Sequence, residues 1–389
     1  MKVLYLNAMC ATSQIPTGGI FITRRIEAAK QNGVDIIPVN LYVEDAGILK
    51  YIKRKIFHMQ LQSSPLTQQS SISYMNIGVP YTLVDAVCWL LFGCTGQKMV
   101  SNKFKRTELR NLECNLVHVH WFWPYAGEVA YWISQVKKVP YYITCHGSEI
   151  NYAMQNSKYN SKMIFLLENA KKVEFVSQKL LDTAISLGYT GSNAQVINNG
   201  YDANIFKPTG KKQNEHKVIG YVGNLLPVKW SDRLIKIIPQ ILRKIPDVEF
   251  IIIGDGELRT RLEKELSQFP VRFLGRLEPQ LVSRYMNIMD VLLVPSRNEG
   301  FPCVVKEAQA CGTVVVGSDV GGIKDAIGDG GITVPYTKNE DEFICEFSNS
   351  VIRVLNNEIA IDREQMLKDV KKYSWYELQK KTLEMYEEI

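Results

Sequence analysis

The chain has 389 residues, of which 46% are hydrophobic and 22% charged, and its formal net charge is +6. This composition is typical of a globular protein and excludes a disordered or collagen-like chain. The length exceeds one ordinary hydrophobic core, so it predicts two domains of about 150–200 residues each.

Short apolar runs rich in β-branched residues recur along the chain, each followed by a helix-like stretch. Continuous rather than alternating hydrophobicity predicts strands covered on both faces, and hence parallel sheets between layers of helices. In the first half the predicted strands are 2–8, 34–42, 116–122, 141–147, 173–177 and 195–200. In the second half they are 217–224, 249–256, 271–276, 291–296, 312–318 and 331–334.

The polar stretch 206–217 breaks this rhythm and predicts a linker between two doubly wound α/β domains. We place the first domain at 1–205 and the second at 206–372. Residues 47–112 do not follow the pattern, so we expect a variable insertion or helical excursion there. Ligands of such sheets bind at the carboxyl ends of the strands, which predicts a binding cleft between the two domains.

The eight cysteines form no C-x-x-C pair, which indicates reduced, buried thiols rather than disulfides or a zinc site. The chain begins directly as a strand, without the basic flank and long apolar stretch of a signal peptide, so we expect a cytoplasmic protein. The most apolar window, 83–94, is shorter than the roughly 20 residues of a spanning helix and contains Asp85. No transmembrane segment is therefore expected.

The positive charge is unevenly distributed along the chain. Residues 1–200 hold 20 Lys and Arg against 12 Asp and Glu, whereas residues 201–389 hold 26 against 28. The excess is concentrated in 50–55 and 98–110. It indicates either a solvated face or a surface that meets anionic lipid or an acidic acceptor. No nucleic-acid-binding motif accompanies the charge, so nucleic acid is not an expected partner.

The segment "EGFPCVVKEAQACG" (299–312), which follows the predicted strand 291–296, contains two glutamates, Glu299 and Glu307. Pro302 suits the first position of a helix, and Gly312 suits the residue just past its end. The backbone N–H groups at the start of this helix would form an anion site suited to a diphosphate. These N–H groups belong to Gly300, Phe301, Cys303 and Val304.

Neither carboxylate, Glu299 or Glu307, can bind the diphosphate itself, so each needs another partner. Like charge prevents Glu299 from binding the diphosphate, so we expect it to accept hydrogen bonds from neutral hydroxyl groups beside it. Glu307, on the second helical turn, would accept from vicinal hydroxyls such as those of a ribose. A sugar, a diphosphate and a ribose in one line describe a nucleotide-sugar. For either residue alone, an ordinary loop or helix-surface glutamate is the alternative.

With this pair the sequence resembles the retaining glycosyltransferases of the GT-B fold, family 4, also called glycosyl transferases group 1. The spacing E-G-F-P-x-x-x-x-E is characteristic of that family, and further similarities cover nearly the whole chain outside 47–112. They are "PTGGIF" (16–21), "TCHGSE" (144–149), "INNGYD" (197–202), "YVGNLLPVKW" (221–230), "IIGDGELR" (252–259), "RFLGRL" (272–277) and "SDVGGIKD" (318–325). The resemblance implies two Rossmann-like domains facing a central cleft, with 373–389 as a C-terminal helix that packs back on the first domain.

The resemblance also implies roles for individual residues. His146 and Glu299 would contact the donor sugar, and Lys229 would neutralise the diphosphate leaving group. A purely structural hydrogen bond is the alternative for His146. Among the donor-binding residues, Gly18 and Gly19 would let the backbone approach the β-phosphate, and Arg276 and Leu277 would meet the nucleobase.

The sequence departs from the family pattern at two positions beside Lys229. Asn224 stands where the family usually has Arg, and Trp230 stands where it usually has Gly. Asn224 can donate a hydrogen bond but carries no charge, so stabilisation of the leaving group would depend more on Lys229 and the helix end. No D-x-D signature is present, so we expect neither a metal ion nor another cofactor. His118 and His120 lie on the same side of one strand, where core or acceptor-side roles are favoured over a metal pair.

Three functions are compatible with these observations. The resemblance implies retaining transfer of a sugar from a nucleotide-sugar, such as a UDP-sugar, to a glycan or lipid-linked glycan acceptor. Such a reaction would serve bacterial surface polysaccharide biosynthesis at the inner face of the plasma membrane. A nucleotide-sugar epimerase of the same fold and a non-catalytic carbohydrate-binding protein are the alternatives.

Overall fold

The computed structural model describes residues 1–13, 18–45, 65–85, 87, 107–123, 125–210 and 216–387. They divide into two compact units. The first unit comprises Met1–Ile197 and Gln379–Ile389, and the second comprises Asn198–Leu378.

The first unit is built on a seven-stranded sheet whose strand pairs are all parallel. Its strands are β1 (Lys2–Asn7), β2 (Asp35–Asp45), β5 (Met75–Tyr81), β6 (Leu116–His120), β7 (Tyr141–Cys145), β8 (Lys172–Phe175) and β9 (Ala194–Val196), and β3 (Gln68–Gln69) and β4 (Ile72–Ser73) form a separate hairpin. The strand order is β5-β2-β1-β6-β7-β8-β9. Its helices are α1 (Ile20–Gln31), α2 (Ala126–Lys137), α3 (Ser157–Glu168) and α4 (Gln178–Ser186), and short turns of 3-10 helix and π-helix lie at Glu108–Arg110 and Glu149–Ala153.

Part of the predicted insertion 47–112 belongs to this sheet. Strand β5 pairs along its whole length with β2 and forms an edge of the sheet, so the prediction of an insertion or helical excursion is wrong for this part. The sequence signal is weak because Gly78 and Pro80 are residues that strands disfavour. An edge strand tolerates them because one of its sides carries no ladder hydrogen bonds.

The second unit is built on a six-stranded parallel sheet. Its strands are β10 (Lys217–Val222), β11 (Val248–Ile253), β12 (Val271–Gly275), β13 (Val291–Val294), β14 (Val314–Asp319) and β15 (Gly331–Pro335). Its helices are α5 (Leu234–Leu242), α6 (Arg259–Glu265), α7 (Pro279–Ile288), α8 (Cys303–Ala310), α9 (Ile323–Ile327), α10 (Glu340–Leu355), α11 (Arg363–Asp369) and the start of α12 (Trp375–Glu387), and 3-10 turns lie at Pro227–Lys229, Ser231–Arg233 and Val370–Tyr373. The strand order is β12-β11-β10-β13-β14-β15.

Both sheets are buried on their two faces, which confirms the predicted doubly wound architecture. In the second unit Ile219, Ile252 and Val316 from the sheet pack with Ile237 of α5 and Phe347 of α10 in one apolar cluster. In each sheet the chain winds outward in both directions from a central strand, β1 or β10. The loops after β1 and β6, and those after β10 and β13, therefore leave at the points where strand order reverses and where such folds bind ligands.

The boundary between the units falls at Ile197 and Asn198, whereas we placed it at 205 and 206. The reason is that the intervening segment is bonded to the second unit. Asn199 Nδ2 donates to the carbonyl of Phe301 at 3.0 Å. The N–H of Tyr201 donates to the carbonyl of Tyr373, and the N–H of Trp375 donates to the carbonyl of Tyr201.

Helix α12 begins in the second unit, and its residues from Gln379 onward belong to the first. In the first unit Tyr142 Oη donates to the carbonyl of Met385 at 2.6 Å, and Thr382 Oγ1 donates to the buried carboxylate of Glu174 at 3.1 Å. The C-terminal residues thus add polar contacts to the core of the first unit.

The cysteines that the structure describes are free thiols, in agreement with the sequence. Cys145 and Cys311 are buried as predicted, whereas Cys345 is exposed; Cys88 and Cys94 lie outside the described residues. Within the described ranges, no helix combines the length and apolar character needed to cross a membrane. The window 83–94 and the basic stretches 50–55 and 98–110 fall largely outside those ranges.

Candidate active site

The segment that carries the two predicted glutamates forms a strand, a loop and a helix, as expected. Helix α8 begins at Cys303, and Pro302 is its extended N-cap residue with ψ 115°, so the prediction that Pro302 opens the helix is wrong by one residue. Gly312 follows the C-cap with φ +83°, the left-handed conformation predicted for it. No side chain caps the N-terminus of α8, which leaves its first N–H groups oriented beyond the helix.

One face of α8 carries the predicted donor-binding residues. Cys303, Val304 and Glu307 are half-buried, whereas Val305 and Ala308 are fully buried against the sheet. The spacing of three and four residues places the half-buried side chains along one stripe. Glu307 therefore shares a face of α8 with Cys303 and Val304, the first two residues of the helix.

The loop before α8 is fixed by its backbone. Gly300 is half-buried, and the buried ring of Phe301 stacks on Tyr373 with 6.0 Å between centroids. The carbonyl of Glu299 accepts from the N–H of Gly322 at 2.9 Å. Gly321 has φ +56°, and a Cβ there would lie 2.1 Å from the same carbonyl oxygen, so a side chain at this position would displace the loop.

The side chains of Lys229 and Glu299 meet at the reversal point between β10 and β13. Lys229 Nζ lies 2.5 Å from Glu299 Oε1, and Ser296 Oγ donates to the same oxygen at 3.0 Å. The two loops are also joined through the backbone, since the N–H of Arg297 donates to the carbonyl of Val228 at 3.1 Å. The structure thus brings together two of the three predicted catalytic residues, 70 positions apart in sequence.

Trp230, which follows Lys229, has φ +51° and ψ 32° between two 3-10 turns. This left-handed conformation strains a side chain as bulky as tryptophan and is open to glycine, the residue usual in the family. The ring is held by its surroundings: the guanidinium of Arg233 lies over it, and that of Arg297 lies 4.4 Å from its centroid. Burial lowers the pKa of Arg233 to about 10, while the neighbouring Glu340 acts in the opposite direction.

The remaining predicted residues of the second unit lie at the carboxyl ends of β10 and β12. Asn224 and Arg276 are exposed, and Leu277 is half-buried. The carbonyl of Asn224 accepts from Tyr221 Oη at 3.0 Å, so its backbone is fixed while its side chain faces outward. Hydrogen bonds join the loops after β10, β11 and β12, including the bond of 2.8 Å from the N–H of Gly254 to the carbonyl of Gly275.

In the first unit Gly18 and Gly19 form a tight turn at the N-terminus of α1. Gly19 has φ +60°, and a Cβ there would lie 2.2 Å from the carbonyl oxygen of Met9. Gln69 Nε2 donates to the carbonyl of Gly18 at 3.0 Å. Glycine at this turn is therefore required by its close packing on the chain just after β1, and the predicted approach of Gly18 and Gly19 to a β-phosphate stays a prediction.

His146 lies directly after β7 and is enclosed by aromatic rings. Its ring is 4.7 Å from that of Phe21, at the start of α1, and 6.4 Å from that of Trp121. Its Nε2 lies 3.0 Å from Nδ1 of His120. Burial lowers the pKa of His146 well below its usual value, and the charge of Arg25 lowers it further.

The side chain of Glu149 is hydrogen-bonded to the backbone at His146. Its carboxylate accepts from the N–H of His146 at 2.7 Å and from the N–H of Gly147 at 3.1 Å. Burial raises the pKa of Glu149 to about 7, although these hydrogen bonds act in the opposite direction. The motif "TCHGSE" contains Glu149, but sequence reasoning gave this residue no role; the acidic residue three positions after the histidine was the available signal.

The alternating histidines of β6 are buried in the first unit, as the core interpretation predicted. His118 is bonded through Nδ1 to Tyr386 Oη and through Nε2 to Thr144 Oγ1, the latter at 2.7 Å. Across the described parts of the chain, no three His, Cys, Asp or Glu side chains cluster as metal ligands would.

Comparison with known proteins places the chain in a family. The family model "Glycosyl transferases group 1" matches residues 191–373, and "Glycosyltransferase Family 4" matches 93–205. An uncharacterized glycosyltransferase of Methanocaldococcus jannaschii, MJ1607, is 30% identical over 302 residues, which cover 70% of this chain and 75% of that protein. The chain belongs to the group 1 glycosyl transferases.

Other members of the glycosyltransferase family match over a smaller share of their length. The phosphatidylinositol N-acetylglucosaminyltransferase GPI3 subunit of Saccharomyces cerevisiae is 30% identical over 243 residues, or 59% of this chain. The chain spans about half of that relative, 53% of its length.

Solved structures agree on the fold. The Anabaena protein HepE, in complex with UDP and glucose, has a TM-score of 0.71 and 18% identity, with 100% of both chains covered. At this identity the similarity shows the fold, which is GT-B.

Proposed function

We propose that this chain transfers a sugar from a nucleotide-sugar, with UDP as the nucleotide, to a glycan or lipid-linked glycan acceptor. The observation that carries the proposal is the Lys229–Glu299 pair of 2.5 Å at the reversal point of the second sheet, beside the uncapped N-terminus of α8. A lysine and a helix N-terminus together suit a diphosphate. The UDP complex of HepE and the transferase names of the sequence relatives support this choice.

The proposed roles of the residues in the second unit follow from their charges. Lys229 and the N–H groups of Gly300, Phe301, Cys303 and Val304 would stabilise the negative charge that develops on the leaving diphosphate. Glu299 would accept hydrogen bonds from hydroxyls of the donor sugar, and Glu307 from the ribose. Asn224, Arg276 and Leu277 would border the nucleotide, with Arg276 and Leu277 nearest the base.

The stereochemical course we propose is retention. The mechanism of glycosidases with two carboxylates needs both acids at the sugar. Here Glu307 is assigned to the ribose, so that arrangement is not available. The acceptor would instead attack from the face that the diphosphate leaves, and a phosphate oxygen would take its proton. We propose that no metal ion is needed, since Lys229 and α8 supply the positive charge.

We further propose an acceptor at a membrane surface. The name of the GPI3 relative specifies a phosphatidylinositol acceptor for that protein, and residues 1–200 of this chain carry the excess of Lys and Arg. We propose that the protein is cytoplasmic, binds the inner face of the plasma membrane reversibly and acts in surface polysaccharide synthesis. This location would explain the basic excess and would bring the protein to a lipid-linked acceptor.

Product analysis with labelled donor tests the proposed function. A panel of nucleotide-sugars is first screened by thermal shift, because a ligand that binds only the folded state raises its melting temperature. The donor that binds is then incubated with glycan and lipid-linked acceptors. Label in the acceptor supports transfer; label in an epimer of the donor, or only in unchanged donor, would contradict it and favour an epimerase or a carbohydrate-binding protein.

A further inference from the structure

The backbone that carries the ring of His146 binds one carboxylate through two consecutive N–H groups. The N–H of His146 donates to Glu149 Oε1 at 2.7 Å, and the N–H of Gly147 donates to Glu149 Oε2 at 3.1 Å. Gly147 has φ +144°, a conformation that glycine adopts much more readily than other residues. Consecutive N–H groups of a turn attract anions, and here the anion is a side chain of the same loop.

Among the described residues, no cation pairs with this carboxylate. Glu149 is 2% exposed, and its burial is opposed by backbone N–H groups without the help of a charged side chain. The titratable group that its charge affects is the buried thiol of Cys145 at the end of β7. Helix α4, which packs on the turn at Glu149–Ala153, carries Lys179 and Asp182, and both are exposed. The ionised form of Glu149 therefore depends on the backbone around His146.

We propose that Glu149 is a positioning residue for sugar transfer, whose ionised carboxylate fixes the backbone of His146 and Gly147 and thereby places the His146 ring. Within the described residues, the ring is hydrogen-bonded through Nε2 to His120, whereas its Nδ1 is buried without a partner. The direction of the ring therefore depends strongly on its backbone. That the ring serves the donor sugar rests on the proposed function, whereas its dependence on Glu149 does not.

Protonation of Glu149 weakens both of these hydrogen bonds. Charge-assisted hydrogen bonds are about twice as strong as neutral ones, so a neutral carboxyl binds the two N–H groups less tightly. Because the pKa of Glu149 is raised to about 7 by burial, its ionised fraction falls about tenfold from pH 8 to pH 6. The ring of His146 stays neutral in this range, since burial and the charge of Arg25 lower its pKa well below the usual value. A decrease of kcat below pH 7 would thus come from Glu149 and not from the ring of His146.

Glu149→Gln tests the proposal with little change in side-chain size. The amide has one acceptor oxygen, and its NH2 group would face a backbone donor, so one of the two hydrogen bonds is lost at every pH. We expect kcat at pH 8 to fall about tenfold with little change in KM for the donor. Wild-type kcat should fall towards the level of the variant from pH 8 to pH 6, whereas kcat of Glu149→Gln should stay constant. Glu149→Asp keeps an ionisable group and should keep a pH-dependent kcat.

Glu168→Gln is the matched control in the same unit. The carboxylate of Glu168 also accepts two hydrogen bonds, from the N–H of Thr190 at 2.8 Å and from its Oγ1 at 2.9 Å. This carboxylate is half-buried and is bonded to a different loop. Glu168→Gln should therefore keep the kcat of wild type and its dependence on pH.

A merely structural role predicts a different result. Glu149→Gln would then lose thermal stability, but its kcat and the pH dependence of kcat would match those of wild type, which would overturn the proposal. If no donor supports transfer, an NMR titration of wild type from pH 8 to pH 6 decides. The amide resonances of His146 and Gly147 and the ring resonances of His146 should all move, and in Glu149→Gln they should not. Fixed amide resonances in wild type, or amide resonances that move without the ring, would overturn the proposal.

Discussion

Lys229 and Glu299 form an ion pair with 2.5 Å between Nζ and Oε1, in which 30% of the lysine side chain and 12% of the glutamate side chain are exposed. The ammonium group of Lys229, which is proposed to stabilise a diphosphate, is thus already paired with the carboxylate of Glu299. A carboxylate at this place lowers the electrostatic attraction for a free diphosphate. It holds the ammonium group in position at the same time, so binding and turnover should respond oppositely when it is neutralised.

The first prediction concerns that carboxylate. In Glu299→Gln, Lys229 loses its charged partner, so we expect UDP to bind about two- to fivefold more tightly, in keeping with the modest energy of partly exposed ion pairs. Turnover of the donor should fall, because the contact with sugar hydroxyls is weakened. Isothermal titration with UDP measures the first effect. Ser296→Ala is the matched control, since it removes a hydrogen bond to the same oxygen and leaves the charge; tighter binding in both variants, or in neither, would contradict the prediction.

The second prediction concerns Glu307 on the half-buried face of α8. Glu307→Ala should weaken UDP binding about ten- to a hundredfold, because a charge-assisted hydrogen bond contributes about 1.5–3 kcal/mol. Wild type should also prefer UDP over 2′-deoxy-UDP, and the variant should bind both alike. Glu346→Ala, an exposed site on α10, is the control for loss of a helix carboxylate. Equal affinity of wild type and Glu307→Ala for UDP would refute the ribose assignment.

The pattern of buried strands could be predicted from sequence because a strand covered on both faces is continuously apolar. Each of the predicted strands is present, and the loop after β13 carries Glu299 as expected. Strand β5 was missed because its composition is that of a turn-rich segment, and only its pairing with β2 makes it a strand. The placement of Pro302 was wrong by one residue, since helix boundaries depend on backbone angles that sequence does not specify.

The sequence motifs identified individual site residues, but they could not predict which of those residues contact one another. The Lys229–Glu299 pair depends on strand order, since β10 and β13 are neighbours although two strands separate them in sequence. The bond between His120 and His146 likewise requires β6 and β7 to be adjacent in register, with His120 opposite Thr144. Sequence gave His120 a core or acceptor-side role but no contact with His146, because that contact depends on strand pairing. The contact of Glu149 with the N–H of His146 is local, and it was overlooked.

The third prediction concerns metal dependence. Transfer should survive EDTA, because Lys229 and the N-terminus of α8 supply positive charge where other enzymes of nucleotide-sugars use a divalent ion. Initial rates before and after chelation, with a mock-treated sample as the control, measure this. Complete loss of activity that magnesium or manganese restores would show that the lysine and the helix are insufficient.

The fourth prediction concerns the basic stretches of the first 200 residues. At low salt the protein should sediment with vesicles that contain anionic lipid, and it should be released as salt is raised. Each Lys or Arg near such a surface contributes about 1 kcal/mol, and the Debye length is about 8 Å at physiological salt. The test variant replaces all four basic residues of one stretch with Ala: Lys50, Lys53, Arg54 and Lys55.

The control for this experiment is a vesicle of neutral lipid, to which wild type should not bind. Binding that persists at high salt would indicate insertion of apolar side chains instead of electrostatic attachment. Failure to bind anionic vesicles at low salt, or unchanged binding of the fourfold variant, would contradict the prediction. The basic residues would then form an ordinary solvated face.

The last prediction concerns Lys306, which lies on α8 beside Glu307 but points into the interior and is 4% exposed. Its Nζ donates to Gln309 Oε1 at 3.0 Å and lies 4.0 Å from the centroid of the Tyr373 ring. Burial and, to a smaller extent, the charge of Lys372 lower the pKa of Lys306, and Asp369 acts in the opposite direction; the net result is a decrease from 10.5 to about 7. The folded protein therefore binds the proton of Lys306 more weakly than the unfolded chain does.

The sign of the effect on stability follows from this difference. Below pH 7 the lysine is charged in both states, and the folded state bears the full cost of burying the ammonium group. Between pH 7 and 10.5 the unfolded state holds more protons, so this cost declines as pH rises, by at most about 1.4 kcal/mol per pH unit. Lys306→Met removes the buried charge at similar side-chain volume. It should raise the free energy of unfolding at pH 6.5 by up to a few kcal/mol, and the gain should shrink towards pH 10.

Urea unfolding of wild type and Lys306→Met at pH 6.5, 8 and 9.5 measures this trend. Lys264→Met, an exposed position on α6, is the control and should show no comparable pH dependence relative to wild type. A stability difference between wild type and Lys306→Met that is the same at all three pH values would mean that Lys306 keeps its proton when folded. Since Lys306 adjoins Glu307, UDP affinity should be measured on the same variant: an unchanged affinity shows that the stability effect arises in the core behind α8 and not in the nucleotide site.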